Sequence, residues 1–282
     1  MISVLQNQPA PRFASVADGP ALVYAAAPDA AFPGFVFTHM LVRTNTGPRW
    51  SVEITLHGAP GRVLRRVELG PVAPELWELE QDRAHRGLAQ LWDRWEAWLA
   101  GKASDWFDRL PPGADPGALD AAEAALGVPL PADLRASYAR HDGDGSVRNM
   151  TLGIVGNHGW LSLAAALQTR AERNAQLRDG VYTGPAFDVR ARGPVQAVWW
   201  HEAWLPITDD GSSNHLCVDL APAEGGEVGQ IIRVWNRSER REVVASSLTA
   251  WIEQTVERLE QGVYSLVPSL DGGVEFRDSG FA

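Results

Sequence analysis

With 282 residues the chain exceeds one small domain, and at about 150 residues per domain it sets an expectation of one or two. A hydrophobic fraction of 45% supplies a packed core and excludes global disorder, and a single cysteine, Cys217, excludes an internal disulfide and a cysteine-built zinc site. The net charge of −10 is unevenly placed: residues 1–88 carry eight basic and eight acidic side chains, and the rest carries 17 basic and 27 acidic. A field of that sign disfavours nucleic acid, and it either speeds encounter with a basic partner or serves solubility alone. No apolar run approaches the ~20 residues that span a bilayer, and no basic start leads into an apolar leader, so the expectation is a soluble cytoplasmic protein.

Taken in chain order, the first 74 residues predict strands. Pro9, Pro11, Pro20, Pro28 and Pro33 punctuate them, and proline blocks helix interiors. Phe35 to Arg43 is rich in β-formers, Asn45-Thr46-Gly47-Pro48 reads as a turn, and Trp50 to His57 alternates apolar and polar residues as a half-buried strand does. Val63 to Leu69 completes a small β-rich meander. Pro74-Glu75 then opens a long helix, because proline at the first helical position gives up a donor that has no partner there. Trp77, Ala84, Leu88, Leu91, Trp92, Trp95, Trp98 and Leu99 form one apolar stripe along it. Gly101 supplies the stop, and Gly87 marks a place where the helix is expected to weaken. A domain border near residues 84–88 follows, with residues 1–84 as a separable β-rich module.

Asp115-Pro116 starts a helix that ends at Gly127, and Leu130 to Leu134 starts another that ends at His141-Asp142-Gly143, which makes a helical hairpin. Met150 to Val155 reads as a strand and Trp160 to Arg178 as a helix stopped by Gly180. Residues 181–197 are irregular and predict a mobile or partner-facing loop. Val198 to His201, Trp204 to Ile207, His215 to Leu220 and Val228 to Asn236 read as a four-stranded meander. Leu248 to Gln261 is the last helix, with Trp251, Ile252, Val256 and Leu259 on its stripe. Residues 266–282 form a Gly-, Ser- and Asp-rich tail expected to fray from Pro268 onward.

Asp209, Asp210, Asn214, His215 and Asp219 make the densest polar cluster. A hard cation needs several converging oxygens, but the spacing fits no D-x-[DN]-x-[DN]-G calcium loop. A hydrogen-bonded turn is the preferred reading, and a metal-dependent hydrolase using Asp209, Asp210, His215 and Asp219 is the alternative. His141-Asp142 invites a general-base reading, yet sequence neighbours seldom point at one another and a helix C-terminus favours histidine by itself. Cys217 lies in an alternating strand and reads as core filler. Trp160, Trp204 and Trp251 are expected in the core. Trp199 and Trp200, adjacent in a predicted strand, must face opposite sides, so one is a candidate binding aromatic.

Four segments, LDAAEAALGVPLPADLRASYARHDG (119–143), WLSL (160–163), WLPITDDGSSNHLCVDL (204–220) and GQIIRVW (229–235), together resemble the SUKH superfamily, in particular its cell-wall-assembly-regulator branch. The resemblance covers roughly residues 88–264. It implies an α+β fold over 85–265, with the helical hairpin and C-terminal helix packed on a mostly antiparallel sheet. It implies a non-enzymatic protein with no cofactor: an immunity protein that occludes a cognate toxin or, alternatively, an interaction scaffold or regulator. Asp209, Asp210, Glu202, Trp199 and Trp200 are then the candidate partner-binding residues.

Overall fold

The computed structural model describes residues 10–16, 19–24, 27–28, 30–59, 62–145, 153–155, 158–268 and 274–278. The N-terminal module is an antiparallel sheet of β1 (Arg12–Val16), β2 (Gly19–Val23), β4 (Phe35–Thr44), β5 (Gly47–Leu56) and β6 (Val63–Pro71) in that order, with the short β3 (Ala27–Pro28) beside β4. Pairs directly opposite in a sheet share a face. Phe13 faces Leu22, Leu22 faces Leu41, and Leu41 faces Trp50, so these four build one apolar face.

That face is covered by α1 (Pro74–Lys102), whose Trp77 and Ala84 join the same cluster. The Tyr24 hydroxyl donates to Glu80 Oε2 at 2.5 Å, and burial together with that carboxylate raises the phenol well above its usual range. The helix runs unbroken through Gly87. Packing on both halves of its stripe outweighs a propensity cost of about 1 kcal/mol. From Leu88 onward the stripe enters a second cluster, with Leu91, Trp92, Trp95 and Leu99.

After the one-turn α2 (Ser104–Phe107), α3 (Pro116–Leu126) and α4 (Ala132–Arg140) form the expected hairpin. Asp115 caps α3 by accepting from Gly117 N, and Gly127, at φ 74°, ends it in the left-handed region. A five-stranded sheet follows in the order β10 (Trp204–Pro206), β12 (His215–Asp219), β13 (Gln230–Val234), β14 (Arg240–Ala245) and β9 (Arg190–Arg192). It is antiparallel except between β14 and β9. A smaller sheet joins β11 (Thr208–Asp209), β8 (His158–Trp160) and β7 (Gly153–Val155). Leu205, Ile207, Leu216, Val218 and Ile231 pack with Trp160 and with Trp251 and Val256 of α6 (Leu248–Glu260), which makes the fold α+β as expected.

Several expected elements fall elsewhere. Trp160 belongs to β8, and the helix α5 (Leu163–Arg178) begins only after Ser162, whose side chain accepts from Ala165 N. Val198 to His201 forms no strand, and the fourth meander strand is β14 instead. The fully buried Arg241 hides β14 in the sequence by breaking its apolar alternation. Its guanidinium donates to the carbonyls of Trp199, Ser238 and Arg240 and stacks on the Trp199 ring at 4.9 Å. The irregular 181–197 loop is tied down in part by a helical turn at 185–187, by β9 and by the Phe187 ring against Trp199. Fraying from Pro268 onward does not hold for residues 274–278, because β15 (Tyr264–Pro268) pairs with β16 (Val274–Asp278), and residues 269–273 and 279–282 of the tail lie outside the described residues. Of the expected 150–155 strand, residues 150–152 lie outside the described residues.

The two apolar clusters meet between Ala84 and Leu88, and residue 85 is the border we propose between folding units. A fragment starting at Arg86 keeps the whole second cluster, so it should unfold cooperatively and elute as a monomer. An aggregated fragment would mean that the N-terminal sheet covers apolar surface the rest needs.

Across this border a cavity of about 500 Å³ is lined by Glu53 and Val63 on one side and by Pro194, Gly226 and Glu227 on the other. Burial, reinforced by the Glu53 charge and opposed by Arg66, pushes the Glu227 carboxyl up to about 7. A carboxyl raised on folding contributes stability that is present at low pH and is lost as pH rises from its unfolded value near 4.5 through 7. Glu227→Gln should therefore flatten the decline in unfolding free energy, followed by urea denaturation, between pH 5 and pH 8 by roughly 1 kcal/mol, allowing for residual solvent screening. An unchanged pH slope would show that this carboxyl is ionised throughout.

Candidate interaction site

His141 leaves α4 in extended backbone, and the bend that follows clamps the strand-to-helix joint at 160–163. Asp142 Oδ1 accepts from Leu163 N at 2.6 Å, and Asp144 Oδ2 accepts from Trp160 N at 2.7 Å. Tyr138 donates to the Leu161 carbonyl at 3.2 Å. Gly143 lies at φ 87°, and a Cβ there would stand 2.8 Å from Ser162 N, so only glycine fits. Two of the four quoted motifs are thus halves of one joint.

His141 is fully committed to structure. Its Nδ1 lies 2.8 Å from the Pro111 carbonyl and its Nε2 lies 2.8 Å from Glu96 Oε1. Burial works to raise the Glu96 carboxyl, but hydrogen bonds from Arg140 and His141 outweigh it and hold the group below its ordinary range. Asp142, the imagined orienting acid, serves Leu163 instead.

Beyond Ile207 the chain makes the acidic turn 209–214. Asp209 Oδ1 accepts from Gly211 N at 2.6 Å. Asp210 spends both oxygens inside the turn, Oδ1 on Ser212 N and Asn214 N and Oδ2 on the Asn214 side chain at 2.6 Å. Burial opposes its charge, but these bonds keep its carboxyl below the usual range. Asn214 Oδ1 accepts from Asn236 N, which ties the turn to the end of β13.

His215 Nδ1 is 2.8 Å from the Thr208 carbonyl, which can only accept, so Nδ1 carries the hydrogen. Burial, with Arg173 adding and Asp209 opposing, pushes this ring below its ordinary pKa and keeps it neutral. Asp219 stands apart at the far end of β12, fully buried, where it accepts from Gln230 Nε2 and Ala221 N. The hydrolase reading thereby loses its ligand set: among the described residues no three His, Cys, Asp or Glu side chains are placed to hold a metal.

Between the joint, the turn and α5 lies a cleft of about 1020 Å³. Its lining includes Asp142, Ser162, Glu172, Arg173, Asp209 and Asn236. Arg173 holds the cleft wall together through the Ser213 carbonyl at 3.1 Å, Asn236 Oδ1 at 3.3 Å and the Tyr182 hydroxyl at 3.4 Å, with His215 Nε2 at 3.5 Å. Neither Arg173 nor Glu172 stands out in a linear reading. The signal was the polar row Gln168, Glu172 and Gln176 at i, i+4 and i+8, which presents one helix face.

The five candidate contact residues do not form one site. Asp209 lines the cleft and Asp210 supports the turn behind it. The 199–202 loop docks along α5 by other partners: the Glu202 carbonyl accepts from Arg170 Nε, and Trp200 Nε1 donates to Asn174 at 2.7 Å. Trp200 is core, beside Trp204, Cys217 and Ile232. Trp199 is half-buried between Phe187 and Arg241, and the Glu202 side chain is exposed.

Residues 113–254 match the model of the SMI1 / KNR4 family (SUKH-1). The chain is 26% identical over 207 residues to a Neurospora crassa protein named glucan synthesis regulatory protein, covering 62% of this chain and 39% of that one. It is 28% identical over 195 residues to the Saccharomyces cerevisiae cell wall assembly regulator SMI1, covering 56% and 38%. With the Schizosaccharomyces pombe cell wall biosynthesis/cell cycle regulator smi1 it shares 24% over 192 residues, covering 62% and 36%. It thus spans well under half the length of these relatives. The matched region carries the joint, the acidic turn and the sheet between them, and on that basis the chain belongs to the SMI1/KNR4 (SUKH-1) family.

Proposed function

We propose that this chain acts by binding a protein partner and not by catalysis. Relatives named as regulators of wall synthesis and assembly support a regulatory or scaffolding role. The commitment of the reactive groups supports it too. His141 has both ring nitrogens engaged, His215 is buried and neutral, and burial raises the Cys217 thiol far above its usual range.

The finer reading, drawn from the bacterial branch of the superfamily, is immunity: occlusion of a cognate toxin with a basic surface, in the cytoplasm. The single observation that carries it is the charge, since the entire excess of acid lies beyond residue 88. Such a surface raises the association rate with a basic partner and rejects like-charged proteins.

Co-expression with a toxin domain encoded beside this chain's gene tests the reading. Restored growth, with a complex whose association slows as salt rises, is the expected result. A toxin that kills equally with and without the chain overturns immunity and leaves the regulatory reading, which predicts a stable complex with a non-toxic cellular protein. If neither complex forms, binding itself is refuted.

A further inference from the structure

We propose that the cleft between α5 and the acidic turn receives a basic side chain, arginine or lysine, from an extended segment of the partner, gripped by Asp209 and Glu172. The inference rests on the binding reading above and supplies its contact chemistry. The cleft is large enough for a stretch of several residues, and its walls are polar, with amide and hydroxyl groups suited to a peptide backbone.

Two carboxylates in it come from different elements, and among the described residues each has one oxygen that accepts no hydrogen bond. Asp209 directs Oδ1 to Gly211 N, while Oδ2 lies 3.7 Å from His215 Nδ1, whose hydrogen goes to the Thr208 carbonyl. The Asp209 side chain is 32% exposed. Glu172, on the exposed surface of α5, uses Oε1 to accept from Gln168.

Asp142 places Oδ1 on Leu163 N at the joint and adds to the negative charge of the cleft, and the Arg173 terminal nitrogens donate to neutral acceptors. Among the described residues the charges that line the cleft are three carboxylates against one guanidinium, which favours a cationic group over an anionic one. Asp210, in contrast, has no oxygen to offer. The two neighbouring acids have separate tasks: Asp210 shapes the turn and Asp209 presents charge.

The test titrates the ¹⁵N-labelled full-length chain with capped Gly-Ser heptapeptides whose central residue is Arg, Lys, Gln or Glu, followed by amide shifts. Arg and Lys peptides should bind with millimolar affinity and move amides at 168–176 and 209–213, while the Gln and Glu peptides do not. The double variant Asp209→Asn/Glu172→Gln keeps acceptors for Gly211 N and for the Gln168 amide. It should hold its fold and bind the Arg peptide about three- to tenfold more weakly, the range expected for two exposed ion pairs.

Equal shifts with the Gln peptide, shifts confined to other surfaces, undiminished affinity in the double variant, or no titration by the Arg peptide would each overturn the proposal. The same variant separates this site from the broader reading. A protein partner that binds wild type and double variant alike leaves the binding function standing and removes the cleft from it. Titration of the cleft by the Arg peptide, with no partner complex formed, does the reverse.

Discussion

Trp160→Ala should lower the unfolding free energy by about 3–5 kcal/mol, the range for truncating a large buried aromatic. Trp160 is 2% exposed, and its ring lies 5.7 Å from Trp92, 5.5 Å from Tyr138 and 6.3 Å from Trp251. Its backbone N–H is the one that Asp144 accepts, so the residue anchors both the core and the joint. A cavity at this point cannot close cheaply, because α1, α4 and α6 all meet there. Trp251→Ala should fall in the same range. The double truncation should cost less than the sum, since contacting residues share one cavity. Against a total of about 5–15 kcal/mol for a typical domain, either loss brings the fold close to its limit. Urea midpoints within error of wild type would show that these rings are not packed as described.

Gly113→Ala should be comparably severe, for a different reason. Gly113 has no helix or strand role, but a Cβ there would stand 1.8 Å from the Ala139 carbonyl oxygen and 2.4 Å from its carbon. Two backbone bonds hold this segment against the end of α4, from Ala114 N to Tyr138 O at 2.8 Å and from Asp142 N to Pro112 O at 3.0 Å. Relieving the clash means separating the strands of chain and weakening both bonds. Overpacking of about 1–3 kcal/mol plus roughly 1 kcal/mol for each bond gives about 3–5 kcal/mol. Gly127→Ala is the matched control: its φ is 74° but nothing stands within 4 Å of a Cβ, so only backbone strain of roughly 1 kcal/mol is expected. Thermal unfolding of the two variants separates the effects. Equal losses would mean that the close approach at Gly113 is not present.

The elements that local chemistry encodes strongly were legible in the chain. Of the N-terminal strands, β4 follows from its β-formers and β5 from alternation, whereas no strand was expected at β1, β2 or β3. The helices α1 and α6 follow from apolar stripes, and the α3–α4 hairpin from a cap-plus-proline start and a left-handed glycine. The border we propose near residue 85 rests on a local trace as well, in the stripe of α1 and in the balance of charge. β14 was not legible because its inward residue is an arginine satisfied by carbonyls from 199 and 238–240, a partnership that no local window contains. Trp160 resembles a helix start for a similar reason. Its apolar surroundings continue into α5, and only the distant Asp144 and Asp142 place the strand end and the helix start.

The candidate site divides in the same way. Composition and spacing pointed to the turn 209–214 and to its acidity, because a short polar loop between two alternating strands is a local property. Which of its acids is free was decided by the fold. Asp210 and Asp209 are adjacent and alike in sequence, yet the first is consumed by Ser212 and Asn214, while the second lines the cleft, as Arg173 and Glu172 do. Those two residues arrive from a helix some forty residues earlier in the chain, and Trp200 is withdrawn into the core beside Asn174 of the same helix. Local preference is set by neighbours within a few bonds, whereas the availability of a charge depends on every donor the folded chain brings within about 3 Å of it.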